Sequence, residues 1–285
     1  MIINSGPFVF SFSSPHRVPY LAKLYKQCLI EKSDDYKGII DFYVDVQPVS
    51  GIRHWLRPQV KFQLDKFEPF KPMPASHVGP ILEWGMNWCV SSHIHECLNI
   101  HAAVVEKNGK AIILPGDPGS GKSTLTALLV HNGWRLLSDE MTLYSLTEHQ
   151  VIPAVRPISL KNQSIELIRK LYPTTYLSPA SLDTIKGTVA HMAIPDDAIA
   201  GMYQPATPVA IVYPKYKQGV DTQVCEVGEG QTFMHIIRNA FNYDVLGEVG
   251  FARAAALTKS TQGYYCEYSQ FTDIAEFFDE LVCDE

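Results

Sequence analysis

The stretch "KAIILPGDPGSGKSTLTALLVHNG", residues 110–133, decides how this chain is read. Its centre holds Gly116, then four residues, then Gly121, Lys122 and Ser123, the spacing of a phosphate-binding loop. That spacing carries meaning only between a strand and a helix. "KAIIL" (110–114) is an apolar run of strand length, and "STLTALLV" (123–130) sets Leu125, Leu128 and Leu129 at helical spacing. Gly133 supplies the stop signal. Glycines let backbone N–H groups curl around phosphate oxygens with no Cβ in the way. The start of the helix adds partial positive charge. Lys122 is the point charge for the β- and γ-phosphates, and the Ser123 hydroxyl is placed for Mg²⁺. A nucleotide site is therefore expected, lined by Gly116, Asp117, Pro118, Gly119, Ser120, Gly121, Lys122, Ser123 and Thr124. What the nucleotide is for must come from elsewhere in the chain.

Upstream, "NIHAAVV" and "KAIIL" flank "EKNG", and Asn108-Gly109 is a strong hairpin signal. The strand entering the loop is then the second arm of an antiparallel hairpin, so a mixed sheet is expected in an α/β fold. Downstream, "WRLLSDE" (134–140) reads as a strand ending in two acids, Asp139 and Glu140, 17 and 18 residues beyond Lys122. An acid at that strand end lies at the sheet edge that holds the loop. It can hold Mg²⁺ or accept a proton from an incoming nucleophile. Neighbouring residues point opposite ways on an ideal strand. Both acids reach one site only if the chain is already turning.

The 285 residues are 46% apolar and 19% charged, an ordinary globular composition. The net charge of −6 and pI near 5.9 argue against nucleic acid as a partner. "IRHWLRPQVKF" (52–62) reads as a solvated strand edge. No run reaches the length of a membrane span, and the N-terminus lacks the pattern of a signal peptide. The six cysteines form no C-x-x-C pair and read as free thiols, mostly in the core, of a cytoplasmic protein. "FEPFKPMPASH" (67–77) is the expected boundary, with an N-terminal α+β segment over 1–75 and a catalytic domain over 76–285. A helix follows it, with Ile81, Trp84, Trp88 and Cys89 on one face. Thr272 is a plausible cap for a last helix over 273–282.

Other candidates are weaker. His101 opens the hairpin, where a lone His is more often structural. "HIHEC" (93–97) has no third ligand at a metal spacing. Arg156 and Lys161, in "RPISLKNQS", are candidate phosphate clamps. "IKGTVAH" (185–191) offers Lys186, Thr188 and His191 on a substrate loop or an ordinary surface loop. Asp244-x-x-Gly247 has the form of a GTPase switch motif, but no Asn-Lys-x-Asp guanine reader accompanies it, so it reads as a helix C-terminus.

"IHAAVVEKNGKAIILPGDPGSGKSTLTALLVHNGWRLLSDE" (100–140) resembles the catalytic core of HPr kinase/phosphorylase, the bacterial serine kinase of the phosphocarrier HPr. "LEWGMNWC" (82–89) and "RPISLKN" resemble the subgroup called HPr kinase-related kinase A. The resemblance implies a P-loop kinase core with a mixed sheet like that of phosphoenolpyruvate carboxykinase. It implies Mg-ATP as donor and a Ser hydroxyl on a small protein or peptide as acceptor, and it is compatible with a homo-oligomer. By carry-over, Asp139 is the base, Glu140 helps hold Mg²⁺ where the family has a second Asp, and His101 contacts the acidic pair. Lys122, Ser123 and Thr124 bind phosphate and metal. The chain departs from the family downstream, where "SIELIRKLYP" is at most a remnant of a Leu-Glu-Ile-Arg-Gly-like run, and over its first 75 residues. HPr itself is therefore not a required acceptor. A small-molecule kinase and a non-catalytic nucleotide-dependent partner of a biosynthetic cluster stand as alternatives.

Overall fold

The computed structural model describes residues 1–30, 36–51, 56–117 and 119–283. They form two compact units, 1–93 with 159–194, and 94–158 with 195–285. In the first unit, Ile2–Asn4 (β1), Val9–Ser13 (β2), Leu29–Ile30 (β3), Phe42–Pro48 (β4), Gln59–Leu64 (β5) and Met73–Pro74 (β6) make one sheet, ordered β3-β1-β2-β4-β5-β6. On β5, Val60, Phe62 and Leu64 are buried while their neighbours are half exposed, the period of two expected of a strand with one face packed. The short helix Tyr20–Tyr25 (α1) precedes β3, and the helix Val78–His93 (α2) packs on β4 and β5. Gly85 permits that approach, since a Cβ there would stand 2.0 Å from the Phe62 ring. The fully buried face of α2 is Ile81, Leu82, Met86 and Cys89. Trp84 and Trp88 sit at its margin, with Lys186 Nζ 5.2 Å from the Trp84 ring and Trp88 stacked on Phe67.

The proline-rich stretch 67–77 is built into this unit, because Met73 pairs with Val60 across β5 and β6. The first division between the units therefore falls after His93, while the expected boundary at 75/76 lies inside the first unit. Residues 52–55 of the "IRHWLRPQVKF" segment lie outside the described residues.

The second unit opens with Cys97–Ile100 (β7), Ala102–Lys107 (β8), Lys110–Pro115 (β9), Lys122–His131 (α3), Arg135–Ser138 (β10), Thr142–Ser145 (β11) and Val151–Ile152 (β12). The chain then contributes Ile158–Lys161 (β13), Gln163–Leu171 (α4), Ser181–Thr184 (β14) and Gly187–Met192 (β15), three strands ordered β13-β15-β14. It returns to the second unit with Asp196–Ala200 (α5), Thr207–Tyr216 (β16), Gln223–Val227 (β17), Glu229–Asn239 (α6), Tyr243–Ser260 (α7), Gln262–Tyr268 (β18) and Phe271–Val282 (α8).

The central sheet of this unit runs β10-β8-β9-β16-β18-β17. It is mixed, as the hairpin predicted: β8 is antiparallel to β9 and β10, while β16 is parallel to β9 and β18. Both faces are buried, which explains why β8 and β9 read as continuous apolar runs. Ala102, Val104, Ala111 and Ile113 face a core with Ile236, Ala254 and Leu257 from α6 and α7. Ala103, Val105, Ile112 and Leu114 face a core with Leu125 and Leu129 of α3 and Ile274 and Phe278 of α8. The hairpin turns through Asn108 (φ 56) and Gly109 (φ 77), the paired positive φ of a tight two-residue turn.

One local expectation is corrected. Thr272 lies inside α8, bonded to Asp273, and Gln270 takes the cap position, because the last helix starts one residue before Thr272. At Gly247 the backbone is non-helical (φ 55, ψ −126), so the first helical turn of α7 ends there, as the Asp244-x-x-Gly247 reading expected, and a second helical segment follows across the kink. No helix of the described residues is long and apolar enough to cross a membrane.

Candidate active site

Sheet register brings the candidate residues to one edge. Ala102 pairs with Pro115, so the start of β8 meets the end of β9. Ser138 pairs with Val104, so the end of β10 arrives at the same edge. The parallel strand β16 ends there too. His101, the glycine loop, Asp139 and Tyr216 thus converge although the sequence scatters them.

The loop is shaped by backbone geometry. Gly119 has φ +90 and Gly121 φ +92, conformations that L side chains rarely adopt. The Ser120 N–H donates to Asp117 O at 3.1 Å and closes the turn. Gly121 stands at the cap position of α3, where no side chain caps the helix and no acid lies in its first turn. A helix start without a capping side chain, behind two left-handed glycines, is an anion cradle. Among the described residues the Ser120 Oγ is buried without a hydrogen-bond partner. Lys122 is buried, as is Asp139 at 5% exposure. Pro118 lies outside the described residues; Asp117 is exposed, and Gly116 and Thr124 are half-buried.

The Ser123 Oγ donates a hydrogen bond to Asp139 Oδ2 at 3.1 Å. This contact joins the first turn of α3 to the end of β10 and sets a hydroxyl and a carboxylate side by side. The strand ends at Ser138, whose Oγ accepts from the Met141 N–H at 3.1 Å. The chain is therefore turning at Asp139 and Glu140, the condition under which both acids reach one edge. Hard oxygen donors beside an anion cradle fit Mg²⁺ with a phosphate chain.

His101 is held by its backbone, its N–H donating to Asn239 O at 2.7 Å, and its ring meets Phe241 edge to face at 5.6 Å. Arg156 belongs to the same unit, two residues beyond Ala154, whose N–H donates to Leu137 O of β10 at 2.9 Å. Lys161 belongs to the first unit, at the end of β13. Lys186, Thr188 and His191 also lie there. Lys186 sits at the turn between β14 and β15; Thr188 and His191 are in β15, with His191 buried. The Thr188 N–H donates to Asn162 Oδ1, and β15 pairs antiparallel with β14, so this segment is strand rather than open loop.

Tyr216 and Tyr268 were not singled out in the sequence. The Tyr216 N–H donates to Ser120 O at 2.9 Å, and its Cβ stands 3.0 Å from where a Gly121 Cβ would be. The Tyr268 hydroxyl is 3.7 Å from that same point. Burial raises the Tyr268 phenol well above its ordinary range, so it stays neutral. An aromatic at the end of a strand carries no motif that could have found either residue.

Strand, glycine loop, uncapped helix and acid-ended strand meet at one edge of a mixed sheet. The particular likeness is to HPr kinase/phosphorylase. The enzyme of that name from Streptococcus thermophilus (strain ATCC BAA-491 / LMD-9) is 34% identical over 134 residues, 46% of this chain and 43% of its own. That from strain CNRZ 1066 is 34% identical over 59 residues, 21% of this chain and 19% of its own. The chain thus spans less than half the length of these curated relatives. A solved structure, the Hpr(Ser) kinase/phosphatase from Coxiella burnetii, aligns with 65% of this chain and 93% of its own at 10% identity and a TM-score of 0.30. No family model matches. The chain is HPr kinase-like in sequence.

Proposed function

We propose that the chain is an ATP-dependent phosphotransferase that moves the γ-phosphoryl group of Mg-ATP to a Ser or Thr hydroxyl of a small protein or peptide. The observation that carries this reading is the Ser123–Asp139 hydrogen bond at the mouth of an uncapped glycine loop. A buried carboxylate against the first helical turn can hold Mg²⁺ or accept the proton of an attacking hydroxyl, and the second role is what this reading assigns to it. The curated relatives support a phosphotransferase.

In this reading the loop from Gly116 to Thr124 holds the phosphates, through backbone N–H groups such as those of Gly119, Gly121 and Lys122, and the Lys122 ammonium neutralises the β- and γ-phosphates. Arg156 is a further clamp. Ser123, Asp139 and Glu140 supply the oxygens for Mg²⁺, which with ATP contributes charge neutralisation and the transferable phosphoryl group. Asp139 accepts the proton of the acceptor hydroxyl, a role worth ~10²–10⁴-fold in rate. His101, fixed through Asn239 and Phe241, supports the acidic pair. A core like that of phosphoenolpyruvate carboxykinase and a cytoplasmic setting complete the proposal.

The test is label transfer from γ-labelled ATP in a single turnover, with a bacterial lysate fraction of small proteins as acceptor. Acid-stable, alkali-labile phosphate on a protein-sized species, lost in Asp139→Asn, is the expected result. Release of ADP and free phosphate with no labelled species would reject transfer to a protein.

A further inference from the structure

We propose that Tyr216 forms the wall of the nucleotide site against which the nucleobase stacks; this rests on the nucleotide reading above and adds to it the recognition of the base. Three observations place the residue. First, its own N–H is bonded to Ser120 O at 2.9 Å, so the end of β16 and the glycine loop move as one piece. Second, its Cβ would stand only 3.0 Å from a Cβ at Gly121, so the glycine is what lets this strand end and the loop lie so close together. Third, the ring meets Tyr268 edge to face at 5.9 Å and remains 52% exposed, so aromatic surface is left over beside the phosphate cradle.

The neighbours of Tyr216 sharpen the chemistry. Lys215 and Lys217 flank it, but both Nζ atoms pair with Glu267, at 3.5 and 3.1 Å. The Lys217 N–H also donates to Tyr268 O, pinning the strand end from its other side. These cations are already engaged with a carboxylate. What this corner offers a nucleotide is a fixed aromatic plane, with the loop supplying the charge. Every base has a π-face, so stacking on such a plane tolerates base identity. The prediction is affinity for the nucleoside part, shared by ATP and GTP, without a guanine-reading motif.

The experiment compares binding of ATP, GTP and inorganic tripolyphosphate, each with Mg²⁺, to the wild-type chain and to Tyr216→Ala, Tyr216→Phe and Lys122→Ala. Calorimetry reads the affinities, and a thermal melt of each variant reports folding. Base–aromatic stacking predicts that Tyr216→Ala binds ATP and GTP about tenfold more weakly. Tripolyphosphate affinity should stay unchanged, and Tyr216→Phe should keep wild-type values. An equal loss for ATP and tripolyphosphate would overturn the inference, since Tyr216 would then only shape the loop. So would unchanged ATP affinity in Tyr216→Ala. Should Lys122→Ala leave ATP affinity intact, or the wild type bind none of the three, the nucleotide reading itself fails and this inference falls with it. A failure confined to Tyr216 leaves the phosphate cradle standing.

Discussion

Alanine at Gly119 and at Gly121 should separate two costs that phosphate loops usually combine. Both glycines have φ near +90, so a Cβ at either imposes backbone strain of about 1–3 kcal/mol. Around Gly119 the space is open, with nothing within 4 Å of an added Cβ. At Gly121 the added atom meets Tyr216 Cβ at 3.0 Å, and Tyr216 cannot retreat while its N–H is bonded to Ser120 O. Crowding of this kind adds a further ~1 kcal/mol or more. Converted at 1.4 kcal/mol per tenfold, Gly119→Ala should weaken MgATP binding roughly tenfold, and Gly121→Ala about five- to tenfold further. Melting temperature should fall in the same order. Tyr216→Ala retains the offending Cβ, so it should give Gly121→Ala no relief. Calorimetric titration with MgATP and a thermal melt on each variant check the series. Equal effects at the two positions, or a harmless Gly121→Ala, would refute the argument that the loop is wedged against β16.

Lys122→Ala should abolish productive ATP binding, read by equilibrium titration, because the proposed function makes that ammonium the charge for the β- and γ-phosphates. Asp139→Asn should keep most MgATP affinity yet lose ~10²–10⁴-fold in single-turnover transfer, since Asn preserves size but cannot accept the proton; a joint loss of Mg²⁺ and ATP affinity would instead mark Asp139 as chiefly a metal ligand. Glu106→Ala should cost ~1–3 kcal/mol in denaturant unfolding, because the Arg135 guanidinium loses its carboxylate partner while keeping its bonds to Gly201 O and Gln204 O. Thiol labelling at neutral pH should modify exposed Cys225 and Cys283 first. Burial pushes Cys28 and Cys97 up to about 11 and Cys266 up to about 12, so raising pH to 9 should add little reaction at these three while the fold holds.

The strand–loop–helix from 110 to 131 was legible because each part is local: an apolar run, glycines, then helical periodicity. The hairpin was legible from Asn108-Gly109, and the turn at Asp139 from two acids closing a short strand. His101 was placed correctly at the head of β8, though "NIHAAVV" proved to be two strands, with Asn99 and Ile100 pairing to β11. That partition depends on a partner some forty residues away, which no local pattern encodes. The same holds for residues 159–194, whose grouping with 1–93 is made by long-range contacts. Short strands such as β12, two residues long, carry too little periodicity to be seen. Tyr216 stands 95 residues beyond Gly121, and only the adjacency of β9 and β16 makes them neighbours.

A sheet whose strands all run one way can furnish its catalytic margin only from places where strands finish. Reversal of β8 between β9 and β10 removes that limit here, since one strand begins where its two neighbours end. Residues upstream of a strand and residues downstream of others then share a single rim. The chain can renew the segment before Ala102 or the segment after Ser138 separately, leaving the glycine loop untouched. Under the proposed phosphotransfer, a glycine loop held constant between two separately variable flanks would let acceptor preference drift while the donor stays the same.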